Sequence, residues 1–349
     1  FKIKEVGRLY PYAMKLTFIF LLFCLVILTL ATYLLFFFKK GTLFESLLIS
    51  AIFAGLMSGT SPSSIFPILK GKVSRIVELI RIESLLNSTT SVIIPFLILG
   101  ILANQSFSTS SLFFSFAQSI MTGVGTGIVI ALIMAYILRK LYFPTISPLL
   151  LIACAFVTYT LAENIGGNGV LGVTAFGLIF GNIGIHKKRQ LQTFTKTFTN
   201  FLKIIVFILL GLIVSVPLEV GFFIKSTVLF LIYLVVRYWA VGFSFRNFDV
   251  EKTERTFMTL ITAKGMDTAV MALVIGSYLL EGTTFIISEG LKPALTTIFD
   301  LSFMFIIYSV LIATIVAINA KKLLRPEKEM ATKELKQKVG PIGSDMYAA

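Results

Sequence analysis

Ten apolar runs, each long enough to cross a bilayer, follow one another along this 349-residue chain, and Lys and Arg crowd into every second loop between them. The runs cover residues 14–38, 43–69, 83–102, 119–138, 147–163, 169–185, 198–217, 222–245, 256–280 and 297–320. About 20 apolar residues are needed to span roughly 30 Å of hydrocarbon as a helix. Basic residues at 2–15, 70–81, 139–140, 187–203, 246–255 and 321–338 make up 25 of the 31 Lys and Arg. The opposite loops hold only Lys39, Lys40, Lys225 and Lys292, while Arg237 and Lys264 lie inside runs. Positive loops stay in the cytoplasm, so the alternation predicts a multi-pass protein of the cell membrane with both chain ends cytoplasmic. The expected fold is an all-α integral membrane bundle of about ten transmembrane helices. Its membrane domain covers 1–320, followed by a charged cytoplasmic tail, 321–349, with little fold of its own.

Composition agrees. Hydrophobic residues make up 56% of the chain and charged residues 14%, and the mean hydropathy is +0.93. No soluble core needs that much hydrocarbon. The net charge of +14 belongs to the loops and does not point to nucleic acid. Cys24 and Cys154 fall inside runs, as small core residues do. His186 is the only histidine, which removes His-based metal sites, and no resident metal or cofactor is expected. Neither His-Glu-x-x-His nor Gly-x-Ser-x-Gly occurs, so nothing marks an enzyme. A passive channel has no recognisable filter sequence here. Phe1 is not preceded by an initiator Met or a signal pattern, so the chain reads as a fragment.

Two runs are internally broken. Gly59-Thr60-Ser61-Pro62-Ser63-Ser64 and Pro67 interrupt the second, and proline frees backbone groups at membrane depth. Ala263-Lys264-Gly265-Met266-Asp267-Thr268 interrupts the ninth with charges. Such backbone is tolerated only where protein buries it or water reaches it, and discontinuous helices are how many transporters build ion sites. Charges at membrane depth cost several kcal/mol by most estimates, so each needs a partner or a role. Helical spacing would put Lys264 and Asp267 on one face. There Asp267 is either a carboxylate that exchanges cation and proton or half of a structural ion pair, and Lys264 favours the structural part. Glu83, Ser84, Asn87, Ser88 and Ser91 form a polar stripe on the third run. Glu83 is either an oxygen ligand for a cation or an interfacial acid at a helix start.

Two further features have plainer readings. Glu163-Asn164-Ile165-Gly166-Gly167-Asn168-Gly169 lacks the Lys-Ser/Thr ending of a phosphate loop and reads as a tight turn between helices. Arg237 either pairs with an acid on a neighbouring helix or snorkels to an interface.

These blocks carry a resemblance. Ser58-Gly59-Thr60-Ser61-Pro62, followed by Glu83-Ser84-Leu85-Leu86-Asn87, resembles the paired core helices of the monovalent cation–proton antiporters. Tyr159-Thr160-Leu161-Ala162-Glu163 with Gly166-Gly167-Asn168-Gly169-Val170, and then Phe176-Gly177-Leu178 and Gly181-Asn182, is similar to a stretch of the same family. Thr262-Ala263-Lys264-Gly265 resembles its late helix with an Arg-Gly or Lys-Gly pair. The resemblance implies thirteen helices in a complete member, homodimers, and a core domain moving against a dimerisation domain. It also implies that residues 1–8 match the loop after the third helix, with the first three helices missing here. By the same resemblance Thr60 and Ser84 match cation-contacting positions, and Glu83 matches an acid paired with the late basic residue, here Lys264.

One departure stands out: the family usually has an acid directly after Asn87, and this chain has Ser88. A serine does not exchange protons at physiological pH. The leading reading is therefore an exchanger of Na+ or K+ for H+ in which Asp267 or Glu83 supplies the exchanging charge. The rival is a transport-inactive or regulatory homologue of the same fold.

Overall fold

The computed structural model describes residues 3–38, 41–61, 64–65, 75–103, 109–184, 188–246, 250–277 and 291–324, and among these the regular structure is entirely helical. The helices are α1 (Ile3–Phe23), α2 (Leu43–Ser58), α3 (Arg75–Ala103), α4 (Thr109–Lys140), α5 (Ile146–Asn164) and α6 (Gly169–Asn182). They continue with α7 (Lys188–Ile213), α8 (Val220–Ser244), α9 (Lys252–Leu260), α10 (Met266–Ser277) and α11 (Lys292–Ile318). α1 runs on to Phe37 through two wider, π-helical turns, Cys24–Leu28 and Tyr33–Phe37.

Among the described residues seven helical stretches are long and apolar enough to cross a membrane, and α2, α6 and α10 are shorter apolar helices. Together they account for the ten runs. α2 and α10 are short because their runs break: α2 ends at Gly59, which is extended (φ −84°, ψ 154°), and residues 261–265 separate α9 from α10. Pro62, Ser63 and Pro67, expected to help break the second run, lie outside the described residues, as do 278–280 and the tail beyond 324.

One boundary is corrected. α3 begins at Arg75, not at 83, because Arg75, Glu78 and Arg81 lower the hydropathy without interrupting the helix. Glu83 thus sits about two turns inside α3 and is fully buried. It is not an interfacial acid at a helix start; Glu78 occupies the first turn.

The chain divides into two compact units, Phe1–Ile98 with Leu209–Ala349, and Leu99–Ile208. In the second unit α4 and α6 pack backbone to backbone. A Cβ on Gly127 would lie 2.0 Å from the Gly172 carbonyl oxygen, and one on Gly123 would lie 2.4 Å from that of Asn168. Small residues of this kind let membrane helices close up where no hydrophobic force separates lipid from protein. The turn 165–168 between α5 and α6 is saturated with hydrogen bonds. Asn168 caps α6 by accepting from the Leu171 amide (2.9 Å), and Glu163 Oε1 accepts from the Gly169 amide (2.8 Å). Gly166 takes the left-handed conformation (φ 75°) that this turn needs.

In the first unit the core is aromatic. Phe305 of α11 lies edge-on to Phe53 of α2 (5.0 Å between centroids) and to Phe230 of α8 (5.1 Å). Tyr233 of α8 completes the cluster and faces the broken segments.

Candidate ion site

The two broken spans meet. The Ser61 amide donates to the Ala263 carbonyl (3.1 Å), so the interrupted stretch after α2 runs beside the one before α10. Glycine makes the approach possible. A Cβ on Gly265 would lie 2.1 Å from Ser64 Oγ, and one on Gly59 would lie 2.2 Å from Ser91 Oγ of α3. The sequence therefore delivers three elements to one place: the end of α2, the start of α10, and the polar stripe of α3.

An interrupted helix leaves its last carbonyls without intrahelical partners. Lys264 answers this at the end of α2. Its ammonium group donates to the carbonyl of Met57 (2.6 Å) and to that of Gly59, which puts a cation at the negative end of the helix dipole. The Tyr233 ring lies 4.7 Å from the Lys264 nitrogen, and the Lys264 amide donates to Ser309 Oγ of α11 (2.9 Å). Both Lys264 and its surroundings are buried.

Glu83 has a different cation from the one the family resemblance implied. Arg237 of α8 donates from both terminal nitrogens to the two Glu83 oxygens, at 2.6 and 2.7 Å, with both side chains fully buried. The flat guanidinium matches a carboxylate bidentately, as a lysine ammonium cannot. Phe20 of α1 packs against the guanidinium of Arg237, its ring centroid 4.5 Å from the guanidinium carbon. Asn87 adds a hydrogen bond to Glu83 from one turn on. Lys264 is thus a helix-end cation, and the acid's partner is the arginine that the sequence could place but not pair.

Asp267 does not sit on a helix face with Lys264, because α10 starts only at Met266. It occupies the first turn of α10, where unsatisfied amides favour a carboxylate. Its Oδ2 accepts from Ser88 Oγ of α3 at 2.8 Å. Ser88 and Asp267 are both half-buried.

The remaining predicted residues divide. Ser84 is buried and spends its hydroxyl on the Arg81 carbonyl of its own helix (2.9 Å). Thr60 Oγ1 and Asn87 Oδ1 are buried with no hydrogen-bond partner among the described residues. Buried oxygens without donors are costly, and they are also what an incompletely hydrated alkali cation needs. Sequence reasoning passed over Asp300, a buried acid in α11. Its Oδ1 accepts from the Ser215 amide (3.2 Å) and fastens the non-helical stretch 214–219 after α7. The available signal was a lone acid in the run 297–320.

Two broken helices that meet among buried, compensated charges are the arrangement from which many secondary transporters build their ion sites. The chain belongs to the sodium/hydrogen exchanger transmembrane family, whose model matches residues 1–318. It is 31% identical over 174 residues to the low-affinity Na+/H+ antiporter NhaS1 of Synechocystis sp., a match covering 47% of this chain and 33% of that protein. To the K+/H+ antiporter NhaP2 of Shewanella baltica it is 24% identical over 296 residues, 81% of this chain and 48% of that one. The chain thus spans between a third and a half of these relatives' length. Its fold is that of the sodium proton antiporter MjNhaP1 from Methanocaldococcus jannaschii, with a TM-score of 0.72 at 18% identity over 91% of this chain and 80% of that one.

Proposed function

We propose that this chain carries the transport activity of a monovalent cation–proton antiporter, exchanging Na+ or K+ for H+ across the cell membrane. In this reading both chain ends are cytoplasmic, as the alternation of basic loops implies, and the complete protein works as a homodimer with no resident cofactor. The observation that carries the reading is the meeting of the two broken spans, where Glu83 is buried, Asp267 is half-buried, and Thr60 and Asn87 each keep a buried oxygen with no hydrogen-bond partner among the described residues. Membership of the exchanger family and the names of the relatives support it.

The mechanism is competition. A carboxylate at the crossing takes either a proton or a partly dehydrated cation, and the protein changes access only when one is bound. Proton and cation then share one negative charge, so lowering the pH on the binding side raises the apparent KM for the cation and leaves the maximal rate unchanged. The test is proton movement in everted vesicles bearing the protein, with Na+, K+ or Li+ added to an acid-loaded interior. Cation-dependent alkalinisation is the expected result. A correctly inserted protein that moves no protons with any of the three cations would replace this reading with that of a transport-inactive homologue, the reading that Ser88 favours.

A further inference from the structure

Two acids stand at the crossing, and their surroundings separate them. Both Glu83 oxygens hold the Arg237 guanidinium, Oε1 also takes the Asn87 amide, and the side chain is fully buried. Giving a proton or a cation to Glu83 would mean breaking two charge-assisted hydrogen bonds in a dry place and stranding the arginine. Asp267 is half-buried and accepts from the hydroxyl of Ser88. A hydroxyl can also reverse its part: it donates to an empty carboxylate and offers its lone pairs once a cation has arrived. Asn87, whose Oδ1 has no partner among the described residues, is the neighbour of Ser88; Thr60, whose Oγ1 likewise has none, precedes the Ser61 that bonds the segment leading into α10.

We infer that Asp267 is the carboxylate that exchanges cation for proton, and that Ser88 is its positioning residue on α3. The charged group of the exchange site thus stands on α10, opposite the α3 position that serine occupies. This rests on the antiport reading above and names the group that performs it. In the exchange a cation enters an all-oxygen set made by Asp267, Ser88, Asn87 and Thr60, and the Asp267 proton leaves to water. The Glu83–Arg237 pair keeps its charges throughout.

The test is proton release from the purified full-length protein when Na+, K+ or Li+ is added, followed with a pH-indicator dye, alongside vesicle flux. Release is expected from wild type, with at least a tenfold loss in D267N. It should return in the exchanged pair S88D/D267S, which restores a carboxylate from the other helix. S88A weakens release at low cation concentration and raises the apparent KM for the cation severalfold. Where D267N does not insert, D267E decides: moving the carboxylate by one methylene shifts the pH midpoint of release, and an unmoved midpoint overturns the assignment. Release from folded D267N equal to wild type also overturns it. Absence of release and flux from wild type with all three cations would instead sink the antiport reading, so the two failures are told apart.

Discussion

Both compact units use glycine for close approach, yet among the described residues only one of them buries charge. Between α4 and α6 the helices stay whole. Gly123 and Gly127 let them touch, and the polar groups of the turn beside them are met locally: the Asn168 amide by the Ser119 carbonyl (3.0 Å), the Gly167 amide by Ala162 (2.8 Å), the start of α6 by its Asn168 cap. At the crossing of the broken spans Gly59 and Gly265 allow an equally close approach, but here the helices end inside the bundle. Their freed carbonyls draw in Lys264, and the polar stripe beside them holds Glu83 against Arg237. Close approach alone needs only a missing side chain. Interruption of a helix at membrane depth needs charge to match it, and that charge is what a transported ion can use.

The largest effect tests whether the buried pair of the first unit is one object. Arg237→Leu leaves the Glu83 carboxylate buried and uncompensated, which costs about 3–5 kcal/mol and is expected to lower the thermal unfolding midpoint in detergent more than any other single change considered. Adding Glu83→Gln to Arg237→Leu should recover most of that loss. If the double variant is as unstable as the single one, the arginine is needed for packing against Phe20 and not for charge.

The next pair sets the two glycine contacts against each other. At Gly127 an added Cβ meets backbone atoms of Gly172 and Phe176, which cannot turn aside, so Gly127→Ala must push α4 from α6 at a cost of about 1–3 kcal/mol. At Gly265 the nearest atoms are the Ser64 and Ser61 hydroxyl oxygens, which can rotate, and the Ser61 Cβ at 2.9 Å, which must shift only slightly. Gly265→Ala should therefore destabilise less while slowing cation-dependent proton flux more. Equal ratios of flux loss to stability loss in the two variants would erase the distinction between scaffold and exchange region.

Much of this division was legible before any coordinates. The ten runs, their alternating basic loops and the two breaks follow from hydropathy, Pro, Gly and a lysine out of place. The polar stripe of α3 follows from helical spacing. What could not be read was pairing across the chain. Arg237 and Glu83 lie 154 residues apart, and Ser88 and Asp267 179, and no local rule selects one buried partner over another. The family resemblance assigned Glu83 to Lys264, whereas geometry prefers the planar guanidinium. The depth of Glu83 was missed for a local reason: Arg75, Glu78 and Arg81 hid the first two turns of α3 from a hydropathy count. Asp300 was readable and was passed over.

The smallest effect asks whether the α5–α6 turn is scaffold alone. Asn168 serves it twice, its side chain capping α6 and its backbone amide bonding Ser119. Asn168→Ala removes only the cap, at about 1 kcal/mol, while Asn168→Ser replaces one capping side chain with another and should cost far less. Because the substitution touches neither charge nor interrupted backbone, the unfolding midpoint of Asn168→Ala should fall by a few degrees with the apparent KM for the cation unchanged. A KM that moves with the cap, and returns in Asn168→Ser, would mean that this turn takes part in ion binding. The contrast between a sealed glycine seam and a charged junction of broken spans would then no longer separate structure from transport.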